Sequence, residues 1–412
     1  MATNTTIDSA PRRHRRGRVA GAIAFATATA LLATGCSSGD DAAASGGGTY
    51  NVGASLILSG PAAAYGANTA GGMQAYFQYI NDQGGVNGKK IQLDMADGGL
   101  TAAPTIQSLK QLVQQNHSIV IGGMLASSGN SGAGPTINSL KVTTLLGSPG
   151  SDLNRPPINQ YVYGAGAALY GDEAYMEAEF AKANIIKKAN PKIAIIYEIS
   201  SETQVWADNM KKIASDNSWN IVDTEAYQVG TTDFSAQAAK IASAQPDYII
   251  AVFDASNFAF IKALMAANVS VPIVSNQGGP HADQMQQLNY PALYVGRELV
   301  FPIGDDPAVT QYLDLVKKYG GKADPQSHIT QYGYLQAKII VQVLKQCGAN
   351  CDAASFNKTI ASLKTIDTGG FSFAPITYSS ANTVGINTAR FYTWDAAARK
   401  VVLLPGTYTH DA

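Results

Sequence analysis

The residues best placed to do chemistry are small. Gly123-Met124-Leu125-Ala126-Ser127-Ser128-Gly129 follows an apolar run that closes at Gly122, and its serines open a stretch of helical composition. The first N–H groups of a helix lack internal partners, and with the helix dipole they favour a carboxylate or another acceptor-rich group. Ordinary helix capping by the same hydroxyls is the other reading of these residues. Groups for making or breaking bonds do not gather in this way. The five histidines, His14, His117, His281, His328 and His410, are scattered and lack the spacing of a zinc site. The sequence contains no Gly-x-Ser-x-Gly elbow and no Walker loop. Gly129-Asn130-Ser131-Gly132-Ala133-Gly134 is glycine-rich but lacks dinucleotide-binding spacing. The chain is therefore expected to bind without turnover, and to use no cofactor or metal.

Cysteine usage divides the chain. Cys347 and Cys351 flank Gly348-Ala349-Asn350. In an exported protein that spacing reads as a local disulfide, with two free thiols or a metal site as the alternatives. Cys36 ends a leader in which Arg12, Arg13, Arg15, Arg16 and Arg18 precede an uncharged run from Val19 to Thr34. This order of charge, apolar core and small residues marks 1–35 as a signal peptide. Its roughly 16 apolar residues are too few to span a bilayer, which takes about 20. Ala33-Thr34-Gly35-Cys36 resembles a bacterial lipobox, which implies that Cys36 becomes the acylated first residue. Residues 36–48 then form a tether of Ser, Gly, Ala and Asp, a composition that cannot bury a core. The expected location is extracytoplasmic, on the outer face of the cell membrane, touching it only through the lipid on Cys36.

The elements that would position Ser127 and Ser128 lie in the remaining body, which is longer than one ordinary domain core supports. The net charge of the whole chain is −1, and five arginines leave with the leader, so the body is mildly acidic. That balance argues against nucleic acid and against a polybasic membrane patch. Short β-branched runs alternate with longer amphipathic segments, as in βαβ units with a mainly parallel sheet. The runs predict strands over 50–56, 90–95, 119–122, 143–147, 192–197, 220–226, 248–253, 273–275 and 293–299. Helices are predicted over 66–81, 103–115, 172–187, 205–215, 235–244, 257–267, 308–319 and 329–345. Met73, Tyr76, Phe77 and Ile80 recur at helical spacing and read as core packing. Gly-punctuated apolar stretches at 161–166 and 300–304 look like passages between two lobes, and a third is expected near 369–378. The expected class is α/β, two doubly wound Rossmann-like lobes joined by a three-segment hinge. Lobe 1 would comprise 49–163 and 302–372, and lobe 2 would comprise 164–301 and 373–412. Hinges of this kind permit closure around a ligand.

Ser59-Gly60-Pro61, Tyr65-Gly66 and Tyr79-Ile80-Asn81-Asp82-Gln83-Gly84-Gly85-Val86-Asn87-Gly88-Lys89-Lys90-Ile91 resemble the opening of the leucine/isoleucine/valine-binding family of ABC-transporter substrate-binding proteins, with the periplasmic binding protein type I fold. Gly84 and Gly85 can end a helix, and Asn87-Gly88 suits a tight turn. The resemblance implies capture of a small polar solute (an amino acid, amide or small carboxylate) for an ABC permease and ATPase, by a monomer. A ligand-sensing module of the same fold is the alternative, and a small-molecule hydrolase is the reading from another class.

The resemblance also implies a site. The family uses a serine at Ser127-Ser128 against the ligand carboxylate, and offers backbone N–H groups and a hydroxyl where this chain has Gly147-Ser148-Pro149-Gly150-Ser151. Pro149 removes one donor, leaving Ser148, the Gly150 N–H and Ser151. Tyr65 matches a tyrosine that lines the cleft, and Phe253 keeps the ring of a second aromatic without its hydroxyl. Ser201, Thr203, Gln204 and Trp206 occupy a loop that in the family contributes a further aromatic contact, a pattern from which this chain departs, and Gln204 is the candidate kept. At Gln277 the amino-acid-binding relatives carry a glutamate that pairs with the ligand ammonium. A neutral residue there puts an α-amino acid in doubt, because a buried ammonium needs a charged partner. Asp254 could supply that charge; otherwise the ligand is an amide, an acid lacking an amine, or a polyol-like solute. His281 reads as a helix-start residue.

Overall fold

The computed structural model describes residues 48–147, 152–228, 230–253 and 256–410. The leader, Cys36 and nearly all of the tether lie outside the described residues, as do Ser148, Gly150, Ser151 and Asp254. Among the described residues no helix is long and apolar enough to cross a membrane.

The chain first lays down β1 (Thr49–Leu56), α1 (Ala63–Asp82), β2 (Lys90–Asp97), α2 (Ala102–Lys110), β3 (Val120–Met124), α3 (Ser127–Leu140), β4 (Thr143–Leu146) and β5 (Val162–Gly164). These strands form one parallel sheet in the order β2-β1-β3-β4-β5. Every residue of β3 and β4 is buried, as expected of parallel strands covered on both faces.

The second sheet collects α4 (Tyr170–Asn184), β6 (Lys192–Glu198), α5 (Ser201–Asp216), β7 (Asn220–Tyr227), α6 (Ser235–Ala244), β8 (Tyr248–Val252), α7 (Asn257–Ala266), β9 (Ile273–Ser275), α8 (Ala282–Leu288) and β10 (Leu293–Arg297). The chain then returns to the first sheet with α9 (Pro307–Tyr319), α10 (His328–Cys347) and α11 (Ala353–Ser362). It ends with β11 (Thr388–Asp395), β12 (Lys400–Leu403) and β13 (Tyr408–Thr409), which extend the second sheet as antiparallel strands.

Packing explains the local choices. Met73, Phe77 and Ile80 of α1 are buried against α10, with Tyr76 partly covered. The two helices meet where neither carries a side chain. A Cβ on Gly72 would stand 2.1 Å from the Thr330 carbonyl oxygen, and one on Gly333 would stand 2.1 Å from that of Thr69. The turn after α1 uses Gly84 and Gly85 at φ +101° and +86°, and Asn87 and Gly88 also take positive φ. Cys347 and Cys351 are joined, with Cα atoms 5.4 Å apart, at the end of α10.

Three readings of the sequence change. Residues 162–164, expected as a passage, are also the edge strand β5, because Thr144, Leu145 and Leu146 of β4 pair with them. The C-terminal strands and α11 were not anticipated. The third passage, placed at 372/373, lies further on: Ile376, Tyr378 and Ile386 belong to the first core. The Tyr378 hydroxyl donates to the Gly164 carbonyl at 2.6 Å, and the Gly164 N–H donates to Thr383 O at 2.7 Å. These bonds hold the segment to the first sheet until about residue 387.

Candidate functional site

A cavity of about 290 Å³ opens between the two sheets, at the carboxyl ends of their parallel strands. That is where open α/β sheets place ligands, and the volume matches the lower end of small-molecule pockets, about 300 Å³. Tyr65, Leu125, Ser127, Ser128, Ile329 and Tyr332 line it from the first lobe. Tyr170, Glu198, Ser200, Thr203, Phe253 and Gln277 line it from the second. Five of the residues singled out in the sequence, Tyr65, Ser127, Ser128, Phe253 and Gln277, thus share one cavity.

The first turn of α3 faces this space. Its N-cap residue is Ala126, which has no side-chain oxygen to accept from the first-turn N–H groups. Gln204 is elsewhere: it is exposed, and its amide donates to Asp208 Oδ1 at 2.9 Å. His281 starts α8, with its N–H donating to Gln284 Oε1 at 3.0 Å.

Glu198 escaped the sequence reading. It ends β6, is 6 % exposed, and is the single Asp, Glu, Lys or Arg among the described residues lining the cavity. His328 also lines it, but burial, reinforced by the charge of Arg297, holds its imidazole well below the usual value and therefore neutral. The described wall thus carries one acid and no cation.

Gln277 is not free to meet a solute with both ends of its amide. Its Nε2 donates to Glu173 Oε1 at 2.6 Å, and its Oε1 accepts from the Tyr332 hydroxyl at 2.6 Å. Behind it lie Glu173, Glu177 and Glu298, all buried. Burial raises all three carboxyls, that of Glu298 to about 7. For Glu173 the neighbouring charges of Glu298 and Glu177 add to the shift. The buried Arg297 guanidinium bonds Gln331 of α10 and, at 3.4 Å, the Gln277 carbonyl.

At the mouth, α3 approaches α5. Glu202, in the first turn of α5, is pushed up to about 8, first by burial and then by the charge of Asp152, against the pull of Arg155. An acid raised this way contributes its full stability below its ordinary value of 4.5 and loses it as the pH rises through about 8. Glu202→Gln is therefore expected to melt with the wild type at pH 4.5 but several degrees above it at pH 8.5, in thermal unfolding followed by circular dichroism. Equal shifts at both pH values would contradict this placement.

A wider groove, about 910 Å³, lies beside the hinge and is lined by Phe301, Gly304, Arg390, Trp394, Arg399 and Leu403 among others. Much of its wall is the antiparallel hairpin of β11 and β12, away from the loops that follow the parallel strands.

The family profile described as "Periplasmic binding protein" matches residues 49–399. The chain belongs to the periplasmic binding protein family. Its relatives include Leu/Ile/Val-binding protein homolog 7 of Brucella abortus, 23 % identical over 346 residues that span 78 % of this chain and 84 % of that protein. Leu/Ile/Val-binding protein homolog 3 of Brucella melitensis is 22 % identical over 355 residues, 84 % of this chain and 91 % of that protein. A branched-chain amino acid ABC transporter protein from Thermus thermophilus, solved with bound valine, superposes with a TM-score of 0.75 at 17 % identity, covering 88 % of this chain and 97 % of that one. A solute-binding protein from R. palustris, solved with 4-hydroxybenzoate, gives 0.73 at 18 %, covering 88 % and 97 %. These likenesses establish the two-lobed fold of the periplasmic binding proteins for this chain.

Proposed function

We propose that this periplasmic binding protein is the extracytoplasmic solute-binding component of an ABC importer, tethered through a lipid on Cys36, that closes on a small amino-acid-like solute and delivers it to a permease and ATPase. The observation that carries the reading is the interlobe cavity, with the first turn of α3 on one wall and Glu198 on another. A carboxylate suits the N–H groups beside Ser127 and Ser128. The described wall, with one acid and no cation, repels a purely anionic solute but offers an ammonium a charge-assisted partner. Glu198 thereby supplies the charge that Gln277 lacks, and Asp254, Ser148, Gly150 and Ser151, outside the described residues, are retained as proposed contacts. Tyr65, Tyr170 and Phe253 suit an apolar body. The relatives described as Leu/Ile/Val-binding homologs, and the related structure with bound valine, support this solute class.

Thermal unfolding in the presence of single solutes tests it, because a ligand that binds only the folded state raises the melting temperature by mass action. Leucine, valine, isoleucine, benzoate, 4-hydroxybenzoate and acetamide form the panel. The reading expects at least one amine-bearing acid to raise the melting temperature and to be recovered unchanged after incubation. A shift given by benzoate or 4-hydroxybenzoate alone would move the assignment to aromatic acids, and conversion of the solute would overturn it.

A further inference from the structure

In this structure the protein's own groups bridge the cleft beside the cavity. The Tyr332 hydroxyl of α10, in the first lobe, meets the Gln277 amide of the second lobe at 2.6 Å, and the bond is buried. Arg297 and Gln331 make a second link across the lobes nearer the hinge, where Gln331 Nε2 donates to the Val300 carbonyl at 2.7 Å. A glutamine on the short loop after β9 has several side-chain torsions to choose from. Something must hold it across the gap for Tyr332 to find.

That group is Glu173 of α4, which does not line the solute cavity. One of its oxygens accepts from Gln277 Nε2 at 2.6 Å and the other from Asn276 Nδ2 at 3.1 Å. Asn276 in turn accepts the Phe253 N–H at 3.0 Å, so the same carboxyl holds the backbone that carries an aromatic wall of the cavity. All of these bonds are buried, where an unmade bond costs the desolvation of the group left over. Such a network is worth having only when each member is satisfied.

We infer that Glu173 is the positioning residue of an interlobe latch: it pins the amides of Gln277 and Asn276 so that Tyr332 can hold the lobes together before any solute arrives. This deepens the solute-capture reading, in which the same two lobes close on the solute, but its test needs no solute.

The test measures the distance between the lobes by pulsed electron resonance. Nitroxides are attached through ketone side chains introduced at the exposed Lys110 of α2 and Lys212 of α5, in the full chain. Wild type without solute is expected to show mainly the short distance. Tyr332→Phe removes a single hydroxyl, and Glu173→Met removes both acceptors at similar length. Each is expected to lower the closed-to-open ratio about fivefold, the worth of one buried hydrogen bond. Glu173→Gln keeps an acceptor for Gln277 but turns an NH2 toward the Asn276 amide, and is expected to fall between wild type and Glu173→Met, which a requirement for bulk or charge alone would not produce. The latch is overturned if Tyr332→Phe leaves the ratio unchanged, if Glu173→Met does so while folded, or if Glu173→Gln opens the lobes as far as Glu173→Met. Should Glu173→Met fail to fold, Tyr332→Phe and Glu173→Gln still decide. Wild-type lobes that stand open alone and shut with a panel solute would sink the latch and leave capture intact. Lobes shut without solute, in a protein that binds none of the panel, would do the reverse.

Discussion

Gly72→Val is expected to destabilise the protein by about 3 kcal/mol or more, because the new side chain would meet backbone that cannot rotate away. Its Cβ would lie 2.1 Å from the Thr330 carbonyl oxygen and 2.7 Å from the Tyr334 nitrogen, so α1 and α10 could no longer touch. Both helices cover the first sheet, and α10 carries Tyr332 and His328 to the cavity. The damage therefore reaches the site as well as the core. Gly84→Ala is the matched control: its φ is +101°, yet nothing lies within 4 Å of the added carbon. Only backbone strain of about 1–3 kcal/mol is expected there. Urea unfolding of the two variants checks the difference. Equal midpoints would mean that the helices do not cross as closely as described.

Glu198→Gln is expected to weaken an amine-bearing acid by roughly ten- to a hundredfold, since a charge-assisted hydrogen bond is worth about 1.5–3 kcal/mol. The substitution keeps the length of the side chain, which ends β6 with little exposure. Acids without an amine should bind no worse, and any repulsion from the carboxylate is relieved. Calorimetric titration of both variants with valine and with 4-hydroxybenzoate separates the two effects. A uniform loss for both solutes would show that Glu198 shapes the cavity without reading the ammonium.

How far the sequence could be read depends on what sets each element. Strands β3 and β8 are short runs buried on both faces, and β1 and β6 are buried beyond their first residues, so periodicity and turn residues mark them directly. The stripe at Met73, Phe77 and Ile80 marks α1 for the same reason. Strand β13 has two residues, and β11 mixes buried with half-buried positions, so their pairing is decided by the neighbouring strands and not by local pattern. The end of the first core is set by the Tyr378 hydroxyl reaching Gly164, a contact between residues far apart in sequence.

The site divides in the same way. Ser127 and Ser128 are legible because a strand end, small residues and a helix start occur together. Glu198 closes the apolar run Ile193–Tyr197, and its signal was present: an acid at the carboxyl end of a parallel strand, where ligands sit. Glu173 and Glu177 stand four apart on one helix face beside the buried Met176 and Phe180, which marks them as interior acids needing partners. The neutral side chain at Gln277 was noticed, but that its amide is held by Glu173 and Tyr332 follows only from three segments meeting in space.

The most direct measurement is diffraction from crystals grown with the solute that most raises the melting temperature. The account predicts density for that solute between Ser127, Glu198 and Phe253, with its carboxylate at the first turn of α3 and its amine toward Glu198. Density in the groove beside Arg390 and Trp394, with the interlobe cavity empty, would contradict it.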